Sequence, residues 1–234
     1  LGEIKITRKV RALDIIIRTC ASVNMLTQNK KRLFEKEKIV YTLRTIKSLL
    51  NSALDPGLTS LDINFKVIDH NSTNENLKEI DNVFKKFGKK YSLINLDVSK
   101  FKNQIEKINQ RGKDVTSNQI SNMANIHKSL VESKNCEDLI YFVEDDYLHR
   151  KNSLKEMIFT YERITSQLNK EIIICPADYP YLYAKSELTQ NFLGHKYHVG
   201  VFQKEHVLFY TFQCIFPNIS QLYFYLLKRY TMFH

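Results

Sequence analysis

The chain has 234 residues, 43% hydrophobic and 26% charged, which gives it enough apolar surface for one sizeable core and excludes a wholly disordered chain. A formal charge of +10 asks for an anionic partner, yet the basic residues of the first forty positions (Lys5, Arg8, Lys9, Arg11, Lys30, Lys31, Arg32) lack the consensus of an RNA-binding strand or a zinc finger. They are expected to form a solvated surface, which argues against nucleic acid as a partner. Cys20, Cys136, Cys175 and Cys214 show no paired spacing, and the charged N-terminal stretch does not read as a secretory signal, so reduced thiols in the cytoplasm are expected.

From Leu13 to about Phe202, short β-branched and aromatic runs alternate with stretches of helical period, the pattern of an α/β fold with a mostly parallel sheet flanked by helices. Leu13 to Thr19 is continuous enough for a central strand covered on both faces. Ile39, Val40, Leu43, Ile46, Leu49 and Leu50 then share one face of a helix spanning Glu35 to Leu50, and Asp55-Pro56-Gly57 ends it in a turn. A second strand, Leu61 to Asp69, leads to Ser72 and Glu75, spaced as a capping box for the helix that carries Leu77, Ile80, Val83, Phe84 and Phe87. A third strand covers Tyr91 to Asp97, and a helix from Ser117 to Glu132 is capped by Thr116 with Gln119. Asn118, Asn122 and Asn125 fall near one face of that helix and read as a solvated stripe. The most apolar strand, Leu139 to Val143, runs into Glu144-Asp145-Asp146. A helix capped by Ser153 and Glu156 and a strand at Ile172 to Cys175 follow.

The chemistry concentrates after the apolar strand. Three adjacent carboxylates repel one another, which suggests a shared cation, and parallel sheets bind ligands beyond the carboxyl ends of their strands. Hard oxygen ligands of this kind suit Mn²⁺ or Mg²⁺ bridging to phosphate.

The segment Val67-Ile68-Asp69-His70-Asn71-Ser72-Thr73, together with the opening strand and helix from Asp14 to Leu50, resembles family 2 glycosyltransferases of the GT-A fold. The resemblance implies a Rossmann-like, GT-A-like domain over residues 1–206. It also implies that Arg18 and Thr19 lie near the nucleoside of a nucleotide-sugar donor and that Asp69 accepts from its base. Glu144-Asp145-Asp146 stands where such enzymes carry the acidic DXD motif, and is similar to that of Golgi N-acetylglucosaminyltransferases. Carried over, Asp146 ligates the metal, while Glu144 and Asp145 contact metal-bound water or the donor's ribose and sugar.

Beyond that motif, Cys175-Pro176-Ala177-Asp178-Tyr179-Pro180-Tyr181 is an aromatic loop suited to a sugar acceptor, with Asp178 a candidate general base. Glu205 is the other candidate, since no acid follows it; a retaining reaction, or a chain that lacks part of its active site, is the alternative to both. His198, within Gly194-His195-Lys196-Tyr197-His198, is a candidate extra metal ligand. The expected activity is metal-assisted transfer of a sugar to a hydroxyl of a glycan or lipid-linked acceptor. Two other classes remain open: a sugar nucleotidyltransferase, although Ala21-Ser22-Val23-Asn24 is no glycine-rich phosphate loop, and a nonenzymatic basic module that binds membrane or nucleic acid. From Val207 to Leu227 the chain carries no charge. Residues 207–234 are therefore read as a separate aromatic tail with three open roles: peripheral membrane contact, a buried segment, or an appendage.

Overall fold

All eight residues of the first strand, β1 (Ala12–Thr19), are buried, as the unbroken apolar run requires of a strand covered on both faces. The computed structural model describes residues 3–22, 36–101, 108, 114–175, 189–191, 198–201 and 215–217, the last three stretches as backbone. After β1 come α1 (Lys38–Ser52), β2 (Asp62–Asp69), α2 (Asn74–Lys86), β3 (Ser92–Asn95), α3 (Ser117–Ser133), β4 (Leu139–Glu144), α4 (Ser153–Leu168) and β5 (Ile172–Cys175). Three short strands follow, β6 (Thr189–Asn191), β7 (His198–Val201) and β8 (Ile215–Pro217).

The strands β3-β2-β1-β4 lie side by side and parallel, and the sheet continues through antiparallel pairs in the order β8-β5-β7-β6. This is the α/β, Rossmann-like arrangement that the alternation predicts. The β8 strand, drawn from the stretch read as a tail, pairs with both β4 and β5. Among the described residues, no helix is long and apolar enough to cross a membrane.

Side chains on a strand alternate between faces, and the two faces of this sheet meet different helices. Leu13, Ile15 and Ile17 of β1, with Phe65, Val67, Tyr141 and Val143 of its neighbours, share one core with α1, α2 and α4. Burying each such aliphatic side chain contributes roughly 1.5–3 kcal/mol, so this layer dominates the stability of the fold. The alternate residues face α3, where the Asn125 amide donates to the Ile68 carbonyl at 3.2 Å. Asn125 is therefore buried and holds α3 to β2, contrary to the expected solvated stripe.

Two expected caps are replaced. Thr73 caps α2, accepting from Asn76 N–H at 3.2 Å, because Ser72 is already occupied by Asp69. Asn152 precedes α4 without a side-chain cap and donates to Glu156, while the Ser153 hydroxyl meets that of Ser52 at 3.1 Å. The capping box of Thr116 and Gln119 on α3 forms as expected.

The basic N-terminal segment is also not merely solvated. Arg8 pairs with Asp138 at 2.5 Å and with Glu171 at 2.9 Å, and Lys9 pairs with Glu162 at 3.1 Å. Backbone amides complete the strap: Thr7 and Arg8 donate to the Ser166 hydroxyl at 3.0 Å, Val10 to Glu162 at 2.8 Å, and Arg11 to Asp138 at 2.7 Å.

Candidate functional site

The strand order places a topological switch at β1 and β4: the chain winds outward from β1 through β2 to β3, then returns to place β4 on the other side of β1. Open α/β sheets form ligand sites beyond the carboxyl ends of their strands at such a switch. There the chain presents Arg18 and Thr19 from β1, Asp69 from β2, and Glu144, Asp145 and Asp146 from β4.

Register and alternation divide these residues between the two faces. Arg18 is the register partner of Glu144, and both point to the side of α3. The Arg18 guanidinium donates to Glu144 and, at 3.0 Å, to the side-chain oxygen of Asn122. Asp145 is turned the other way, toward α1. Its carboxylate accepts from Lys38 at 2.6 Å, from the Thr42 hydroxyl at 2.9 Å and from Cys20 N–H at 3.3 Å. Lys38 and Thr42 are one helical turn apart, so a single face of α1 grips this acid.

Asp146 projects beyond both networks. It is exposed, and among the described residues it has no ion-pair partner; its own amide is the one hydrogen-bonding group that acts on it there. Enclosure by the surrounding protein and the nearby charge of Asp145 push its carboxyl above the ordinary range, against the pull of Lys38 and Arg18. Burial also raises Glu144, opposed by Arg18 and reinforced by Asp146 and Asp145.

The triplet therefore does not need one shared cation to relieve its repulsion. Three consecutive residues at a strand end cannot all turn to one side, and the protein supplies its own counter-charges to the first two. Among the described residues, no three His, Cys, Asp or Glu side chains are arranged to hold a metal ion. Mg²⁺ or Mn²⁺ that keeps its waters and takes phosphate oxygens needs only one or two carboxylates, and Asp146 fits that requirement.

Thr19 and Asp69 are also register partners, and the Thr19 hydroxyl donates to the Asp69 carboxylate at 2.6 Å. The same carboxylate accepts from the Ser72 hydroxyl at 2.6 Å and from Ser72 N–H at 3.1 Å. Ser72 in turn accepts from Ala21 N–H at 2.9 Å, and Ser22 donates to the carbonyl of Asn71, whose φ of 65° turns the chain sharply before α2. Asp69 is buried with three donors upon it, so in this arrangement it joins the loops after β1 and β2. Beside it, His70 stands 2.6 Å from the Ser121 hydroxyl, and burial lowers its pKa while Asp69 opposes that shift.

Asp178 and Glu205 lie outside the described residues. The backbone of His198 pairs with Cys175 and Asn191 in the antiparallel half of the sheet, and its side chain lies outside the description. Sequence reasoning missed Lys38, Thr42 and Ser121, and left Asn122 in the solvated stripe. Lys38 had a signal: a cation in the first turn opposes the helix dipole, so its presence there calls for an acidic partner.

No family model matches this sequence, and no curated protein matches it. Three residues at the strand ends are unusual together. An exposed acid, Asp146, has no ion-pair partner among the described residues and stands beside two cations held almost out of solvent, Arg18 and Lys38.

Proposed function

We propose that this protein is a metal-assisted glycosyltransferase that moves a sugar from a nucleotide-sugar donor to a hydroxyl of a glycan or lipid-linked acceptor. The observation that carries the reading is Asp146, an acid left open at the switch point of a parallel sheet while its two neighbours are neutralised by Lys38 and Arg18. A donor of this class brings a diphosphate, whose charge both cationic side chains and a divalent cation stabilise. Asp146 would hold Mn²⁺ or Mg²⁺ jointly with the phosphates, and the ion, when bound, would offset charge on the departing nucleotide. Asp145 holds the turn so that Asp146 faces outward, and Arg18 is held in place by Asn122 and Glu144. The joint of Thr19, Asp69 and Ser72 fixes the two loops between which a nucleoside would sit. Asp178 and Glu205 stay the candidates for deprotonating the acceptor, and His198 for an added metal contact.

The test is a panel of nucleotide sugars with Mn²⁺, scored for hydrolysis and for transfer to saccharide and lipid-linked acceptors. One or more donors should be consumed by the wild type. Asp146→Asn should lower that turnover by about a hundredfold or more while the thermal melt is retained. Equal metal-dependent turnover in the variant would remove Asp146 from the site, and no turnover of any donor by the wild type would end the reading.

A further inference from the structure

Large apolar side chains left in water carry information when they gather on one surface. Six are exposed among the described residues, and three of them, Leu148 at 73%, Phe159 at 52% and Leu54 at 50%, belong to one face of the molecule. The chain that follows β4 runs beside the second half of α1: His149 N–H donates to the Ser48 hydroxyl at 3.0 Å, and Leu154 N–H to the Ser52 hydroxyl at 2.9 Å. Lys155, in the first turn of α4, then pairs at 3.0 Å with Asp55, in the turn after α1. These bonds lay Leu148 alongside α1. They also start the face of α4 that carries Lys155, Phe159 and Arg163, one helical turn apart, at the turn that holds Leu54.

Cations surround the three apolar side chains. Arg44 and Lys47 share the exposed stripe of α1 that ends at Leu54, Arg150 and Lys151 follow Leu148, and Arg163 follows Phe159 by one turn; all five are exposed. Gly57 N–H and Lys155 hold the Asp55 carboxyl below its usual range against burial, and the charge of Lys151 adds to them, which places Lys151 at the same turn. The acids of these elements are paired or stand apart. Asp55 is buried under Lys155, Glu162 is buried under the N-terminal segment, and Glu156 accepts from Asn152. The exposed acids Glu37 and Asp146 stand at the opposite end of α1 and at the start of the connection after β4. α2, which also packs on α1, exposes Glu75 and Glu79 with Lys78 and Lys86 and so adds no net charge. In the sequence, residues 23–35 ahead of α1 hold Lys30, Lys31 and Arg32 against the one acid Glu35.

We propose that this face, made by the second half of α1, the segment from Leu148 to Lys151 and the outer side of α4, seats the protein on an anionic lipid bilayer. Leu148 and Phe159 enter the headgroup layer, and the five cations meet the charged headgroups. A polyanion such as nucleic acid would engage the cations alone and leave the apolar side chains in water, whereas a bilayer surface takes both. The inference is independent of the glycosyl-transfer reading.

Tryptophan reports on this face without interference, because the chain has none. Leu148→Trp and, as a reference in the outermost strand β3, Leu93→Trp are each mixed as full chains with vesicles of phosphatidylcholine and phosphatidylserine, and of phosphatidylcholine alone. On the anionic vesicles the indole replacing Leu148 should shift to the blue and be quenched by brominated acyl chains, and the indole replacing Leu93 should do neither. In cosedimentation at low salt, Arg150→Gln with Lys151→Gln should weaken binding roughly twentyfold, since each cation near such a surface contributes a factor of roughly five. Leu148→Ser with Phe159→Ser should weaken it roughly tenfold, and that loss should persist when salt screens the charges. All four positions are exposed, so both pairs should keep the wild-type thermal melt. Vesicles that bind the protein without a blue shift at Leu148→Trp, no binding by the wild type, or equal binding by the wild type and both pairs overturns the proposal. Binding of duplex DNA that competes with vesicles, falls with the glutamine pair and ignores the serine pair assigns the face to nucleic acid and overturns it as well.

Discussion

The two ends of the parallel sheet use the same chemistry to opposite effect. At the end where the strands begin, Asp138 accepts from Arg8 and from the amide of Arg11, and Glu162 and Glu171 close on Lys9, Val10 and Arg8. At the end where they finish, Arg18 and Lys38 satisfy two of three acids and leave Asp146 open. The carboxyl groups register the difference. Burial works against Asp138, yet hydrogen bonds from Arg8, Arg11 and Ala12 and the charge of Arg8 hold it below the ordinary carboxylate range. Asp146 is held above it. An acid lowered by its partners stabilises the fold when ionised, whereas an acid raised by its surroundings is retained in spite of stability, and residues of that kind gather at functional sites.

Mutations can separate the two ends, and the largest stability effect is expected at Asp145. Asp145→Ala strands Lys38 and removes three hydrogen bonds, so unfolding in urea should show a loss of about 3–5 kcal/mol. Adding Lys38→Met should recover part of it; no recovery would mean that the ion pair is not what holds α1 to β4. At the other end, Asp138→Asn should cost about 2 kcal/mol by the same measurement, with Mn²⁺ binding unaffected. A change in Mn²⁺ affinity there would blur the division between structural and functional ends. A smaller loss, about 1 kcal/mol, is expected for Thr19→Val, which removes one of the three donors to Asp69. Nucleotide affinity that falls much further than stability in that variant would show Thr19 touching the nucleoside directly.

The pH dependence has two signs. His149 is lowered by burial from 6.5 to about 4, so it is neutral in the fold, its ring nitrogen 2.8 Å from the Tyr141 hydroxyl. Its contribution is complete above pH 6.5 and is lost as pH falls through about 4, where Asp138 begins to lose its own contribution. Glu144 and Asp146 act the other way: their ionised forms cost stability near neutrality, and acid relieves that cost. Asp146→Asn should therefore melt at the wild-type temperature or slightly above it at pH 7, and the small gain should vanish toward pH 4. A variant that melts several degrees lower at pH 7 would show Asp146 to be a structural acid.

What sequence reasoning could and could not reach follows from distance along the chain. The β1 run, the apolar face of α1 and the capping box at Thr116 are local signals, and each formed where its residues placed it. The caps that changed did so through contacts made elsewhere: Ser72 is drawn to Asp69, and Ser153 meets Ser52, 101 residues away. The acidic triplet stands out in the sequence as three adjacent carboxylates, but its division between two sets of partners does not, because Lys38 and Asp145 are separated by 107 residues and Arg18 and Glu144 by 126. Strand alternation was sufficient to show that the three acids could not face together. The identity of their partners required the register of β1 with β4.

On the proposed reading, the contrast between the ends reduces to which acid a divalent cation would meet. Chelator-treated wild type, Asp146→Asn and Asp138→Asn can be titrated with Mn²⁺ in the presence of pyrophosphate and the free ion followed by its paramagnetic resonance signal. The wild type and Asp138→Asn should bind Mn²⁺ alike, and Asp146→Asn at least tenfold more weakly, with all three folded by circular dichroism. Mn²⁺ held by Asp146→Asn as tightly as by the wild type would contradict the account.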